Sequence, residues 1–279
     1  ISDFNGYVRF SMYWEETVMC AATKLHLTDY PYSCVSLGDS IFGNNQKPND
    51  LPTYMQKVSH LMTANCGFGG TMAATHFNSI YTPLSFWSIA DAISTGDWTT
   101  IDVDWNAINN DHVFMVNVYI LCHLVDWSKV QTITVAYGTN DWNAGVNIDN
   151  ANDPKDVTTY KGALRYGIEK IQSTYPHINI VLLSPLFRYW SNSSDYSTVD
   201  DDSDNRINAG RKLTDYVTAM KEVADEYHLP FFDNYNTAGI NKITAPHILR
   251  DGTHLNYKYG VSMVGKHIGA EVALSNQRI

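Results

Sequence analysis

Short apolar runs alternate with segments of helical periodicity along most of the chain. Five apolar runs are predicted to form strands, at residues 32–37, 62–66, 132–137, 178–184 and 229–232. Apolar residues also recur at spacings of three and four, which predicts amphipathic helices near residues 51–61, 160–171, 213–227 and 261–272. This alternation is typical of βαβ units, and it predicts an α/β fold with a central parallel sheet of about five strands between helices.

Two parts of the chain do not follow this alternation. Residues 1–30 contain the β-type runs YVRFSMYW and TVMCAATKLHL, and we expect a short N-terminal β appendage or the remnant of an upstream domain. Residues 77–130 separate the second predicted strand from the third and resemble an insertion. We therefore divide the chain into the appendage (1–30) and one α/β domain (31–279).

Composition and charge narrow the classes of partner. The hydrophobic content of 44% is enough for a sizeable core, whereas the net charge of −10 disfavours binding to nucleic acid or to anionic membrane surfaces. The most apolar long stretch, residues 113–125, is too short to cross a bilayer, which needs about 20 residues as a helix. We therefore expect neither nucleic acid as a partner nor insertion into a membrane.

The cysteines show no C-x-x-C pairing, so neither a zinc ribbon nor a thioredoxin-type site is supported. Cys34 and Cys122 lie among apolar neighbours and are expected to be small buried hydrophobic residues. The sequence leaves open whether any disulfide joins two of the four cysteines, which are Cys20, Cys34, Cys66 and Cys122.

Polar, glycine-bearing segments follow the predicted strands. In an open parallel sheet, ligands bind beyond the carboxyl ends of the strands, so these segments are expected to meet at one edge. They are Gly-Asp-Ser at 38–40, NCGFGGT at 65–71, YGTND at 137–141 and, before the last helix, RDGTHLN at 250–256.

Residues in these segments match the chemistry of acyl transfer. A serine hydroxyl needs a base to remove its proton, and Ser40, His254 and Asp251 can serve as nucleophile, base and the carboxylate that orients the base. The oxyanion that forms needs hydrogen-bond donors, which the backbone N–H groups of Ser40 and Gly70 and the side-chain amide of Asn140 can supply.

In this order, the four segments resemble the sequence blocks of the SGNH hydrolase, or GDSL esterase/lipase, superfamily. The resemblance covers about residues 32–275 and implies a flavodoxin-like three-layer α/β/α domain that needs no metal and no organic cofactor. It implies Ser40 as nucleophile and first oxyanion donor, Gly70 as second donor, Asn140 as third, and the pair His254 and Asp251 as base and orienting carboxylate.

A second Asp-x-x-His pair, Asp225 and His228, ends a predicted helix and is interpreted as a surface and capping pair. Further residues, within or beside the four segments or beyond the fourth strand, are candidate substrate contacts, and the aromatic faces among them can stack on a sugar ring. They are Asp39, Asp141, Trp142, Tyr189 and Trp190.

The sequence therefore predicts a serine esterase that hydrolyses short-chain carboxylic esters through an acyl-enzyme, with O-deacetylation of a carbohydrate favoured. A lipase, thioesterase or arylesterase with the same residues is the alternative, as is a glycan-binding or structural tail module with an idle triad. The expected partner is an acylated carbohydrate or another small ester. We expect the protein to be extracellular or on a virion surface. We also expect it to form a homo-oligomer, which in a phage tail would be a trimer.

Overall fold

A computed structural model of the protein describes residues 8–14, 17–23, 32–45, 47–105, 107–108 and 115–276, of which the first two ranges are described by backbone alone. Strands β1 (Val8–Trp14) and β2 (Thr17–Thr23) form an antiparallel hairpin. The N-terminal β structure is thus confirmed. The remainder of residues 1–30 lies outside the described residues, and the division at residue 30 stays a prediction.

Five strands of the α/β domain form one parallel sheet, and two further short strands pair beside it. In chain order the strands are β3 (Cys34–Gly38), β4 (Thr63–Asn65), β5 (Thr132–Ala136), β6 (Asn179–Leu183), β7 (Tyr189–Trp190), β8 (Asp201–Asp202) and β9 (Phe231–Phe232). The sheet has the order β4-β3-β5-β6-β9, and β7 pairs antiparallel with β8. Each of the five predicted runs overlaps one strand of this sheet, so the predicted α/β fold is confirmed.

Helices flank the sheet, as the sequence predicts. In chain order they are α1 (Ser40–Gly43), α2 (Leu51–Ser59), α3 (Phe86–Thr95), α4 (Met115–Leu124), α5 (Thr139–Asn143), α6 (Tyr160–Thr174), α7 (Leu213–Glu226), α8 (Asn234–Thr237), α9 (Ala245–Ile248) and α10 (Gly260–Asn276). Helix α2 packs against α10, and α6 packs against both α3 and α7. Short 3₁₀ helices cover Thr82–Leu84, Trp98–Ile101 and Trp127–Lys129. In the ranges described, no helix has the length and apolar character needed to cross a membrane.

The central strands are buried on both faces, which explains why they appear in the sequence as continuous apolar runs rather than as alternating ones. Two polar side chains inside the sheet satisfy each other, because the Thr134 hydroxyl donates to the Ser36 hydroxyl oxygen over 2.9 Å. A buried polar pair of this kind avoids the desolvation cost of an unmade hydrogen bond.

The segment 77–130 is part of the core rather than an addition to its surface. Helix α3 buries Phe86, Ile89 and Ile93 and packs along α6, while α4 buries Met115 and Cys122. Helix α3 therefore belongs to the core of the domain, and the interpretation of the segment as an insertion stays a prediction. Residues 106 and 109–114 lie outside the described part of the segment.

Candidate active site

The order of the strands brings three of the predicted segments together. Strand β3 lies between β4 and β5, so the loops after these three strands meet at the point where the strand order reverses, which is where ligands bind in sheets of this order. Ser40 begins helix α1 immediately after β3. Asp39 caps that helix, because its carboxylate accepts the N–H of Ile41 over 2.9 Å.

The structure brings Ser40, His254 and Asp251 together in the order that the sequence predicts. The Ser40 Oγ lies 2.9 Å from His254 Nε2, and His254 Nδ1 lies 2.8 Å from Asp251 Oδ2. A carboxylate can only accept a hydrogen bond, so Nδ1 carries the proton and Nε2 is left to accept the serine hydroxyl. This arrangement matches a serine nucleophile with an oriented imidazole base.

Local geometry holds the two members of the pair. Besides the imidazole, the Asp251 carboxylate accepts the N–H of Thr253 over 3.1 Å and that of His254 over 2.7 Å. Burial alone would raise the pKa of Asp251, but the hydrogen bonds from the ring and backbone of His254 and the backbone of Thr253 outweigh it and hold the pKa well below its usual range. The carboxylate thus stays ionised and keeps the ring oriented.

Three candidate oxyanion donors lie in the segments after β3, β4 and β5. The first N–H groups of a helix have no partner inside it, and the Ser40 N–H donates to no acceptor among the described residues; the same holds for the Gly70 N–H. Gly70 has a φ of 74°, a left-handed conformation that favours glycine. The Asn140 amide donates one hydrogen to the Thr71 carbonyl over 2.8 Å, which fixes its orientation and leaves the second hydrogen for a ligand.

Two buried side chains hold the loop that carries Gly70. The Asn65 amide nitrogen lies 2.9 Å from the Phe42 carbonyl oxygen, so it ties the loop to helix α1. The Asp141 carboxylate accepts the N–H groups of Ala73 and Ala74 over 3.1 and 2.9 Å. These contacts explain the Asn and Asp of the two segments as parts of the scaffold that positions the donors.

Most of the predicted substrate contacts are buried. The side chains of Asp39, Asp141, Trp142 and Tyr189 are at most 2% exposed, and their role as substrate contacts stays a prediction. The Trp142 indole donates to the Arg211 carbonyl, and the Tyr189 hydroxyl donates to the Tyr196 carbonyl. Their hydrogen-bonding ends thus have partners inside the protein, while their rings fill the core.

Trp190 differs from these residues because its side chain is partly exposed, and its role as a substrate contact stays a prediction. The Tyr189 backbone supports the triad instead, since its N–H donates to the Gly252 carbonyl over 2.9 Å, between Asp251 and His254. The second Asp-x-x-His pair lies on the surface at the end of α7, as the sequence indicates.

Sequence reasoning missed Arg188, which lies beyond β6 at the same edge of the sheet. Its guanidinium carbon lies 5.0 Å from the Trp190 ring centroid and 5.5 Å from that of Trp142, and its Nη1 donates to Thr139 Oγ1 over 3.1 Å. Burial lowers the pKa of Arg188 to about 10, although the nearby Asp39 carboxyl opposes the change. Its position after a predicted strand could have identified Arg188, since the same position made the neighbouring Tyr189 and Trp190 candidates.

A small cavity of about 30 Å³ is lined by Asp39 and Thr253, the chain neighbours of Ser40 and His254, by Arg188 and by apolar side chains of the core. The triad residues themselves do not line it. A space of this size holds about two water molecules. The cavity therefore has no room for a long apolar chain.

Comparison with solved structures agrees with the fold. One solved structure matches with a TM-score of 0.61 and 21% identity, covering 88% of this chain and 98% of its own. A possible lipase from Chitinophaga pinensis matches with a TM-score of 0.56 and 17% identity over 88% and 97% of the two chains. A protein from Lactobacillus plantarum has a TM-score of 0.51 and 18% identity over 88% and 94%. No curated protein matches significantly.

The family comparison is more specific than these structural matches. The model of the GDSL-like lipase/acylhydrolase family matches residues 36–258, which is more than half of the chain and includes Ser40, Gly70, Asn140, Asp251 and His254. The chain belongs to the GDSL-like lipase/acylhydrolase family.

Proposed function

We propose that the protein is a serine esterase in which Ser40 attacks the carbonyl carbon of a carboxylic ester. The observation that supports this function best is the chain of two hydrogen bonds from Ser40 through His254 to Asp251, over 2.9 and 2.8 Å. Three donors lie in segments that converge at the same edge of the sheet. They are the N–H groups of Ser40 and Gly70, which have no acceptor among the described residues, and the side-chain amide of Asn140.

In the first half of the reaction, the Ser40 Oγ forms a bond to the ester carbonyl carbon while its proton passes to His254 Nε2. The negative charge moves to the former carbonyl oxygen, where Ser40 N–H, Gly70 N–H and the Asn140 amide donate to it. The C–O bond to the alcohol then breaks, and His254 returns the proton to the departing alcohol oxygen. The product is an acyl-enzyme on Ser40.

In the second half, a water molecule takes the place of the alcohol. His254 removes one proton from the water as its oxygen bonds to the acyl carbon, and the same donors bind the second oxyanion. The bond to Ser40 Oγ breaks, the proton returns to Ser40, and the carboxylic acid leaves. Throughout, the ionised Asp251 stabilises the positive charge that His254 carries in each transition state.

The substrate we propose is a short acyl group, acetyl above all, on a carbohydrate. The cavity lined by Asp39 and Thr253, the chain neighbours of Ser40 and His254, supports a short acyl group, because its volume of about 30 Å³ has no room for a long chain. Trp190 is partly exposed at the same edge of the sheet, where the guanidinium carbons of Arg206 and Arg188 lie 4.2 and 5.0 Å from its ring centroid. We propose that a sugar ring packs against the part of the indole that these groups leave open.

Hydrolysis of p-nitrophenyl acetate by the wild type and four variants tests the chemistry. We expect Ser40→Ala to lower kcat by about 10⁶-fold and His254→Ala by a similar factor, since members of a triad act as a unit. Asn140→Ala should lower kcat by about 10²–10³-fold. His228→Ala, which removes the histidine of the second Asp-x-x-His pair, is the matched control and should keep the wild-type rate. Retention of activity by Ser40→Ala would overturn the assignment of the nucleophile.

A substrate panel separates the proposal from its rivals. We expect the wild-type protein to release acetate from acetylated polysaccharides and to hydrolyse p-nitrophenyl acetate much faster than the palmitate ester. Preference for the long-chain ester would favour a lipase instead. Binding of an acetylated glycan without any turnover, by a protein that a serine-directed phosphonate also fails to label, would favour a glycan-binding module.

A further inference from the structure

An open groove between α9 and the first turns of α10 contains lysines that have no carboxylate partner. Its volume is about 650 Å³, which lies in the range of sites for small ligands. The ion pairs of the described residues include neither of its two lysines. We call it the α9/α10 groove, and its polar and aromatic lining residues are His247, Lys258, Tyr259, Ser262 and Lys266.

A second groove in the same protein differs in one respect. It is also lined by two lysines and a tyrosine, which are Lys155, Lys170 and Tyr166. There, however, the Lys155 Nζ lies 2.7 Å from the Glu169 carboxylate, and the Lys170 Nζ lies 2.9 Å from the Asp91 carboxylate. The protein neutralises the lysines of the second groove itself, whereas those of the α9/α10 groove are left for a ligand.

The sequence around the α9/α10 groove has the opposite charge to the chain as a whole. Residues 234–270 contain four Lys or Arg and only one Asp or Glu, which is Asp251, although the net charge of the chain is −10. Salt screens exposed charges that lie more than about 8–10 Å apart at physiological ionic strength. An anion in the groove therefore interacts mainly with the nearby cations.

The other lining residues are suited to a sugar ring. Tyr259 is 53% exposed, and the Lys258 Nζ lies 4.8 Å from its ring centroid, so a cation and the open part of an aromatic ring are side by side. The N–H and the hydroxyl of Ser262 have no hydrogen-bond partner among the described residues. Ser262 lies in the first turn of α10, where the helix dipole favours a negative charge.

The α9/α10 groove is close to the triad along the chain. Loop 249–255, which carries Asp251 and His254, is closed by an antiparallel bridge between its two ends. Asn256 follows directly and ties this loop to α9, because its amide donates to a carbonyl of that helix over 2.6 Å. Lys258 is four residues beyond His254, so their Cα atoms are at most about 14 Å apart. A polymer could therefore contact the groove and Ser40 at the same time.

We propose that the α9/α10 groove binds a uronic acid of the glycan whose ester is cleaved at Ser40, so that the substrate is an acidic polysaccharide. The carboxylate of the sugar pairs with the ammonium groups of Lys258 and Lys266, and its ring packs against Tyr259. A concave groove accommodates a polymer chain better than a flat lipid surface. The link to catalysis rests on the proposed esterase function, whereas the binding of the sugar does not.

Uronate polysaccharides without ester groups test binding in the absence of turnover. Titration calorimetry with polygalacturonate, alginate and hyaluronate gives the Kd, and dextran is the neutral control. We expect at least one uronate polymer to bind the wild-type protein and dextran not to bind. Lys258→Gln/Lys266→Gln should raise this Kd about tenfold through the loss of two exposed ion pairs. High salt should weaken binding by the wild type more than binding by this variant.

The second groove provides the matched control. Lys155→Gln/Lys170→Gln changes the net charge by the same amount and should keep the wild-type Kd. Equal weakening in the two double variants, or no binding of any uronate polymer to the wild type, would overturn the proposal. Binding of anionic lipid vesicles through Lys258 and Lys266 in place of the uronate polymers would also overturn it, and would make the groove a membrane contact.

Turnover tests the link between the α9/α10 groove and the active site. Lys258→Gln/Lys266→Gln should lower kcat/KM for acetylated polygalacturonate about tenfold relative to kcat/KM for p-nitrophenyl acetate, which has no carboxylate. An unchanged ratio of the two values would overturn this link. If the wild type hydrolyses no ester at all, the proposed function fails, while the calorimetric titrations still decide whether the groove binds uronates.

Discussion

Replacing Asp39 by Asn tests how the buried carboxyl next to the nucleophile contributes to stability. Burial raises the pKa of Asp39 from 3.8 to about 7, against the hydrogen bond from the Ile41 N–H and the charge of His254, which lower it. Asn has nearly the same shape and caps helices about as well as Asp. The substitution therefore removes the titration and keeps the cap of α1.

The sign and the size of the effect follow from the change in proton binding. Between about pH 4 and pH 7, the folded protein holds a proton on Asp39 that the unfolded chain has released, so the free energy of unfolding of the wild type falls as the pH rises. The stabilising contribution is present below the unfolded pKa and is lost as the pH rises through the folded pKa. A shift of about three pH units corresponds to about 4 kcal/mol. The amide of the Asp39→Asn variant does not titrate, so the variant should lack this part of the fall.

The assay is urea unfolding followed by tryptophan fluorescence at pH 4 and pH 8. Wild type should lose up to about 4 kcal/mol of its free energy of unfolding between pH 4 and pH 8 through Asp39. Asp39→Asn should not show this loss, so its free energy of unfolding should rise by that amount relative to wild type. Glu271, a half-buried carboxyl whose pKa is also raised, titrates in both proteins and cancels in the difference. Asp141, whose pKa is raised as well, interacts with the charge of Asp39 and adds a coupled part to the difference. Ser36→Ala, a buried change without a titrating group, is the control and should differ from wild type equally at both pH values. A difference between Asp39→Asn and wild type that does not change with pH would refute the reasoning.

Three further changes test the site and its scaffold. Asp251→Asn should lower kcat for p-nitrophenyl acetate by about 10⁴-fold, because the amide no longer holds His254 in the required tautomer; a loss below tenfold would contradict this role. Gly43→Ala should lower the free energy of unfolding by about 1–3 kcal/mol, because the added Cβ would lie 2.5 Å from the Gly67 carbonyl oxygen. Urea unfolding measures this change, and an unchanged midpoint would contradict the close packing. Trp190→Ala should raise KM for an acetylated polysaccharide about tenfold, from the loss of about 1.4 kcal/mol of stacking, and leave KM for p-nitrophenyl acetate unchanged; equal KM values for the polysaccharide would remove Trp190 from the substrate site.

The sheet was predictable because its strands are buried on both faces, which leaves continuous apolar runs in the sequence. Strand β9, only Phe231–Phe232, was also predicted, since the short run LPFF follows a strongly amphipathic helix. Helix α3 was not predicted, although its residues are apolar, because its place in the core depends on α6, a partner more than 60 residues further along the chain.

The triad was predictable because each residue adjoins a strand end or the last helix, and strand ends meet at one edge. The surroundings of Trp142 and Tyr189 were not predictable from the sequence. An aromatic residue after a strand can either line a pocket or fill the core, and only the packing of the β7 segment decides between these two roles. Arg188 was missed for a related reason: its approach to Asp39 and Thr139 depends on tertiary contacts that no local pattern contains.

The nucleophile and its base lie near opposite ends of the α/β domain, with Ser40 after its first strand and His254 just before its last helix. During synthesis, the hydroxyl leaves the ribosome more than two hundred residues ahead of its imidazole. If Ser40 is the nucleophile, as we propose, a prematurely terminated chain that lacks His254 has no base for it and should hydrolyse an ester no faster than His254→Ala.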